Sequence, residues 1–541
     1  METNRRIGWV IAAILTTALI LIGCLAWIQD HPYGTSWDES LYFNEVITDL
    51  QTFRNSGVAG LARSIVVADP YRPPAYRVLA VPFLLVTDFS PTVARLISLS
   101  FLVVTLALVF LATRRVAGTA AGVVALIFLA LSPIIIYPSM TFGTEYPLFL
   151  AIAAMLYFLF REWTSDKSSN FNWIGLGLAL GLGALAKASF AAISGPLLAL
   201  VAFLSWRRQI NLPSVRFLVK AVALGVIIAA PWWLPDARPA LRYAIFSTSF
   251  EAHSLGSPSL ATLARWLNLF ALSVLGPVET FLTGALLLSL VVKLKARPGS
   301  VVIDKQSLAF GVCLLSALPL LLAPSLTANG NTRHIAPAVI LIAAGVGILA
   351  KTTRLLEAPV ATVAAAALFG AQMLATIAPT VRPIVYPPNA ALFDKPPWLV
   401  LAREEQWDWD PFRAAVQADG LKDATISLLG GAREFNPPAV AYPWVSRREA
   451  WNTQLLWQDS LGPISWDGVM KNAAKSDVVL TIPNPIVALQ GEQSLDNQHN
   501  DEFIGRLEAE GQFAGPFPMK FGRYNPVEVD VFVTKADLAA H

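Results

Sequence analysis

The sequence predicts a mainly α-helical membrane protein: a bundle of about 11 membrane-crossing helices with a large first outer loop, then a small soluble α/β domain. Three observations carry that prediction. Of 541 residues, 55% are hydrophobic and only 14% are charged, against roughly 25% charged in an ordinary soluble domain. Apolar runs of about 20 residues recur from Ile7 to Pro379, long enough to cross a bilayer as helices. The composition then changes. Residues 380–541 hold 21 acids and 14 bases, leaving 16 acids and 26 bases before them. The net charge of +3 therefore divides into a basic part of +10 and an acidic part of −7. The first part excludes a soluble enzyme, a disordered chain and a disulfide scaffold. The acidic remainder argues against nucleic acid as a partner. Cys24 and Cys313, the two cysteines, both lie in apolar runs and permit neither a disulfide framework nor a metal motif.

The first run, Ile7–Ile28, follows Arg5 and Arg6, which place the N-terminus inside. No small-x-small cleavage site follows it. Leu21-Ile22-Gly23-Cys24 resembles a lipoprotein processing site, but the many runs that follow favour a plain membrane helix. Residues 29–91 then form the large outer loop, which includes the short apolar stretch Pro74–Val86. Thirteen residues suit an interfacial or re-entrant piece better than a span. With that piece not crossing, the helix Thr92–Thr113 delivers Arg114 and Arg115 to the cytoplasm.

The same charge rule orders the remaining spans: Thr119–Tyr137 outward, Tyr146–Phe160 inward, Trp173–Ala186 outward and Phe190–Ser205 inward. Phe217–Leu234 runs outward and is followed by a long outer segment, Pro235 to about Asn268. Leu275–Val292, Leu308–Leu326, Ile335–Ala350 and Val360–Ala378 complete the set. An odd count places the C-terminal part outside. Residues 1–379 thus read as the membrane domain and 380–541 as an extracytoplasmic domain, joined by a linker with prolines at 383, 387, 388, 396 and 397. In the latter, Ala424–Leu429, Asp477–Ile482 and Val529–Val533 read as strands. Pro411–Ala418, Trp466–Ala474 and Asp501–Glu510 read as helices.

Ionisable residues collect on the outer side: Asp38, Glu39, Arg72, Glu145, Lys187 and Arg333. Such groups are costly at membrane depth unless paired or lining a wet cavity, which suggests one shared site. Asp38 can act as a general base toward an attacking hydroxyl. It also fits as the N-cap of a helix starting at Glu39, with Tyr42 on its buried face. Arg72 precedes Pro73-Pro74, which stiffen the backbone and fix the guanidinium at the membrane surface. There it can hold a phosphate with two parallel hydrogen bonds, or snorkel to the interface. Lys187 ends a glycine-rich apolar run from Gly175, whose glycines permit close helix packing. Lysine is disfavoured at outer ends, so a specific anionic partner fits it, and Arg333-His334 has the same logic. Glu145 begins an apolar run, where an acid also suits the helix dipole.

In order, these motifs resemble the GT-C superfamily of polytopic glycosyltransferases. Within it the chain is most similar to the family of protein O-mannosyltransferases and lipid A aminoarabinose transferases, over roughly residues 1–350. The carrying motifs are Asp38-Glu39, Arg72-Pro73-Pro74-Ala75-Tyr76, Thr144-Glu145-Tyr146-Pro147, the Gly175–Lys187 run and Arg333-His334-Ile335-Ala336-Pro337. His334 stands where a tyrosine is usual, and Ala186 where a threonine is common. The resemblance implies a polyprenyl-monophosphate sugar as donor, entering from the outer leaflet, and inversion at the sugar. It implies Asp38 as base, with Glu39 orienting the acceptor. Arg72, Lys187 and Arg333 are the implied phosphate-binding cations, with Arg72 and Lys187 ranked above Arg333. Glu145, Tyr42, Tyr76 and His334 are candidate substrate contacts. Three cations can replace a metal, so no cofactor is required, although the loop carboxylates leave a divalent ion open.

Two other readings compete. A transporter or flippase also carries intramembrane charge, but usually near mid-membrane and in repeats. A non-catalytic subunit would retain the motifs without turnover. The acceptor on the transferase reading is a glycan, a lipid or a protein. Trp407, Trp409, Trp451, Trp457 and Trp466 can stack on sugars or serve as core. The expected location is a bacterial cytoplasmic membrane, since Leu538-Ala539-Ala540-His541 carries no ER-retention signal.

Overall fold

The computed structural model of the protein describes residues 2–34, 36–165, 169–207, 212–248, 259–296, 304–327, 332–353, 367–368, 370–371, 406–418, 420–421, 424–429, 435–450, 452–456, 465–482, 497–523 and 526–536. The chain divides into two compact units. One comprises Met1–Ile28, Ile65–Ala80 and Arg95–Ala402; the other comprises Gln29–Ser64, Val81–Ala94 and Arg403–His541.

Its helices in order are α1 (Glu2–Asp30), α2 (Trp37–Val67), α3 (Ala75–Thr87), α4 (Pro91–Ala117), α5 (Thr119–Leu131), α6 (Pro133–Met140) and α7 (Glu145–Trp163). They continue with α8 (Asn170–Ala186), α9 (Ala191–Trp206), α10 (Val215–Thr248), α11 (Leu260–Leu269), α12 (Pro277–Ala296), α13 (Lys305–Thr327) and α14 (Ala336–Thr353). Among the described residues seven are long and apolar enough to cross a membrane: α1, α4, α7, α9 with the turn before it, α10, α13 and α14. The chain is thus a multi-pass membrane protein.

The expected span Thr119–Tyr137 is instead a bent pair, α5 and α6, which makes eight if the pair is one span. Pro133 explains the break: it lacks a backbone donor, and Ser132 before it is extended. α8 and the apolar part of α12, at 10–17 residues, fall short of the length expected of a span. α3 is likewise short, in keeping with a piece that does not cross on its own. The eleventh expected span, Val360–Ala378, falls almost wholly outside the described residues, as do the linker prolines.

The expected long outer segment after Leu234 begins differently. α10 continues to Thr248 through Pro231, Pro235 and Pro239. Spaced four apart, these prolines share one helix face, so the lost backbone bonds fall on one side and the other side still holds the helix. Inside the first unit α14 is buried from Ala336 to Ala350, against α5 and α13. The glycines of α8 do what their run predicts. A Cβ on Gly177 would lie 2.8 Å from Leu224 Cβ, and one on Gly181 2.7 Å from Ile228 Cβ, so α8 and α10 pack backbone to backbone.

The second unit holds a five-stranded mixed sheet in the order β2-β1-β3-β5-β4. The strands are β1 (Thr425–Leu428), β2 (Asn452–Leu455), β3 (Val478–Thr481), β4 (Phe513–Phe521) and β5 (Val527–Thr534). β1 runs parallel to β2 and β3, and β5 antiparallel to β3 and β4. Trp407, Trp409, Phe412, Trp444 and Phe521 fill one core, and Val469, Phe503, Leu507 and Phe532 another. The three expected strands and three expected helices are present. The structure adds β2, β4 and helix Pro437–Arg447; three prolines in the helix and two in β4 mask the periodic patterns of those two elements.

The first turn of α2 corrects a further expectation. Ser36, not Asp38, caps it: Glu39 N–H donates to Ser36 Oγ at 3.2 Å and Ser40 N–H to Ser36 O at 3.1 Å. Asp38 therefore lies inside the first turn. Tyr42 is on the buried face, as expected. α2 packs on helix Pro437–Arg447 through Asn44, which donates to Pro438 O at 2.8 Å, and Gln51, which donates to Val445 O at 3.1 Å.

Candidate active site

The first unit gathers Arg72, Tyr76, Glu145, Lys187, Arg333 and His334; Asp38, Glu39 and Tyr42 belong to the second. Three of the first set form one ion cluster. Glu145, buried at the start of α7, accepts through Oε1 from Lys187 Nζ at 3.1 Å. The same oxygen accepts from Arg333 Nε at 3.2 Å and Nη2 at 2.9 Å. A buried carboxylate is held as an ion only where cations offset its desolvation, and here there are two. The cluster carries a net charge of +1. Lys187 and Arg333 keep 23% and 35% of their side-chain surface exposed, so each can still donate to an anion.

The local backbone places these groups. Lys187 is extended at the end of α8, where the chain breaks before the short turn Ala188–Phe190. Gly183 allows that break, since a Cβ there would lie 2.4 Å from the Phe190 ring. Arg333 sits in the turn Thr332–His334 just before α14, with His334 half-buried beside it.

Arg72 is oriented by residues the sequence did not single out. Asp69 Oδ1 accepts from the backbone N–H of Tyr71 at 2.8 Å and of Arg72 at 3.2 Å, forming a turn before the paired prolines. Its other oxygen meets Arg72 Nη1 at 3.4 Å. Arg72 Nη2 donates to Tyr243 OH at 3.0 Å, and the guanidinium lies 4.9 Å from the Tyr243 ring centre. Asp69-Pro70 is a readable turn signal. Tyr243, 171 positions on, has no sequence signal. Tyr146 OH, next to Glu145, donates to Tyr76 O at 2.6 Å and ties α7 to the start of α3. Trp233 Nε1 donates to Ala184 O at 2.9 Å, tying α10 to the end of α8.

Other candidates have different settings. Tyr76 is fully buried and edge-on to Phe142, a core position. Glu39 and Tyr42 are buried and Asp38 is half-buried. Arg77 and Arg95 are buried cations on α3 and α4 that the sequence reading passed over; Arg95 lies 5.3 Å from the Trp27 ring centre. Of the tryptophans, Trp407 and Trp409 are core and Trp466 stacks on Phe503, while Trp451 and Trp457 are outside the described residues. Among the described residues no group of three or more His, Cys, Asp or Glu is arranged to hold a metal ion.

Comparison with known proteins bears on this site. Residues 71–234 match the family model described as dolichyl-phosphate-mannose-protein mannosyltransferase. That stretch holds Arg72, Glu145 and Lys187. No curated protein matches the sequence. Among solved structures, the fold matches ArnT from Cupriavidus metallidurans bound to undecaprenyl phosphate, with a TM-score of 0.55 at 13% identity, covering 97% of this chain and 98% of that one. The apo form of that protein matches with a TM-score of 0.56 at 14% identity, over 98% of each chain. The arabinofuranosyltransferase AftD from Mycobacteria matches with a TM-score of 0.51 at 14% identity, over 98% of this chain and 40% of AftD. The resemblance read from the motifs thus extends to a family-model match and to a shared fold.

Proposed function

We propose that the protein is an inverting glycosyltransferase that moves a sugar from a polyprenyl-phosphate donor to a hydroxyl acceptor. The sugar is a hexose or pentose, and the acceptor a glycan, lipid or protein. The protein works at the outer face of a bacterial cytoplasmic membrane, with its N-terminus inside and residues 380–541 outside.

The observation that carries this reading is the Glu145–Lys187–Arg333 cluster, a net-cationic group with exposed donors. It lies in a chain whose residues 71–234 match a family of lipid-phosphate-sugar transferases. In the reaction the acceptor oxygen attacks the anomeric carbon and its proton passes to the Asp38 carboxylate. The bond from that carbon to the phosphate oxygen breaks. Polyprenyl phosphate departs with one more negative charge, which Lys187, Arg333 and Arg72 stabilise. General-base assistance of this kind typically supplies roughly 10²–10⁴-fold. Glu145 positions the two cations, so its own role is electrostatic. Charges gathered on side chains that already point at one another need no reorganisation when the leaving group develops its charge.

The test is the anomeric configuration of the product. Purified protein with a polyprenyl-phosphate sugar and an acceptor extract should give the configuration opposite to the donor's, and Asp38→Asn should give none. Retained configuration, or equal turnover by Asp38→Asn, contradicts the mechanism.

A further inference from the structure

The second unit contains a cavity of about 380 Å³, at the lower end of the roughly 300–1,000 Å³ typical of small-molecule sites. It lies where residues just before and within α2 meet the C-terminal part of the chain. Pro32, Tyr33 and Ser40 contribute one side; Trp407, Asp410 and Tyr442 are among those on the other, with Ser446 and Arg447 at the end of helix Pro437–Arg447.

The lining has a particular chemistry. Tyr33 and Tyr442, both half-buried, supply aromatic surface, backed by the core residues Trp407 and Trp409. The Asp410–Arg447 pair, with Arg447 Nη1 2.7 Å from Asp410 Oδ1, supplies an acceptor and a donor fork side by side. Both side chains remain over 40% exposed, so they can bond to an incoming hydroxyl. Ser446 Oγ adds a further polar atom. The two charges lining the cavity cancel, and Asp408, bonded to Tyr33, adds a negative charge nearby. An anionic ligand is therefore disfavoured. Aromatic faces for C–H surfaces, combined with paired donors and acceptors for vicinal hydroxyls, match a sugar ring.

We propose that this cavity binds a neutral saccharide unit, the part of a glycan acceptor that the protein holds away from the reacting hydroxyl. The assignment deepens the transferase reading and rests on it for the word acceptor; binding itself does not depend on turnover.

The experiment is saturation-transfer NMR on the purified full-length protein without donor. The probes are methyl glycosides and disaccharides of neutral hexoses and pentoses, with methyl glucuronide as the anionic comparison. The expected result is binding of a neutral saccharide, weakened at least tenfold by Ser446→Trp, which fills the cavity from an exposed position. Arg447→Gln, which removes the charged fork and keeps a shorter polar side chain, should weaken it as well and serves if the tryptophan variant does not fold. Binding of no neutral saccharide, tighter binding of the glucuronide, or binding unchanged in both variants overturns the proposal. Saccharide binding by a protein that never turns over would retire the transferase reading and leave the saccharide site standing.

Discussion

Glu145 accepts from both Lys187 and Arg333, so neither cation is independent of the other. Removing either leaves the carboxylate with one cationic partner and the site without its net positive charge. Lys187→Ala and Arg333→Ala should each weaken binding of polyprenyl phosphate about tenfold, roughly 1.4 kcal/mol, measured on purified protein; unchanged affinity in both would separate the cluster from the donor. A second residue-scale prediction concerns Tyr33. Burial, with the Asp408 carboxylate beside it, pushes its phenol up from 10 to about 12. A folded value above the unfolded one means the stabilisation is whole below pH 10 and is lost as pH rises from 10 to 12. Wild-type melting should fall more steeply across that window than that of Tyr33→Phe, and parallel curves would contradict the coupling. The site's residue types were legible because ionisable groups are rare in apolar runs, so Glu145, Lys187 and Arg333 stand out. Their pairing was not legible. It depends on contacts 42 and 188 positions apart, and the partners read as phosphate and sugar contacts turn out to bond one another.

At the scale of elements, two glycines in apolar helices make opposite predictions for one chemical change. Gly181 meets Ile228 across the α8–α10 contact, so Gly181→Ala adds a methyl with no room. Overpacking of that kind costs about 1–3 kcal/mol. Gly195 in α9 has nothing within 4 Å of a Cβ, so Gly195→Ala should gain about 0.5–1 kcal/mol from helix propensity. Thermal melting in detergent should move in opposite directions for the two, and equal shifts would remove α8–α10 packing as the cause. Because Lys187 ends α8, Gly181→Ala should also weaken donor binding, whereas Gly195→Ala should not. Hydropathy made the long helices legible, and the glycine run announced close packing. It did not show that Ser36 rather than Asp38 caps α2, because serine and aspartate are both good caps and stand two residues apart. Nor did it show α10 running past three prolines, since proline spacing matters more there than proline count.

Across the whole molecule, the sequence boundary near residue 380 marks a change of composition, whereas the compact units group Gln29–Ser64 with Arg403–His541. Composition cannot reveal that grouping; it comes from contacts such as Asn44 with Pro438, 394 positions apart. Topology has a direct test. Cys24 and Cys313 are fully buried, so background labelling should be low. A cysteine at the exposed Ser446 should react with a membrane-impermeant maleimide on intact cells. Labelling only after the cells are opened would reverse the orientation. Transfer from a lipid-phosphate sugar with Asp38 as base is tested by its leaving group. The most direct measurement is release of free polyprenyl phosphate from a panel of polyprenyl-phosphate sugars by purified protein beside Asp38→Asn, with crude membrane extract as acceptor. Release is expected from one sugar donor, lost in Asp38→Asn with donor binding intact. Equal release by the two proteins, or none from any donor, would contradict it.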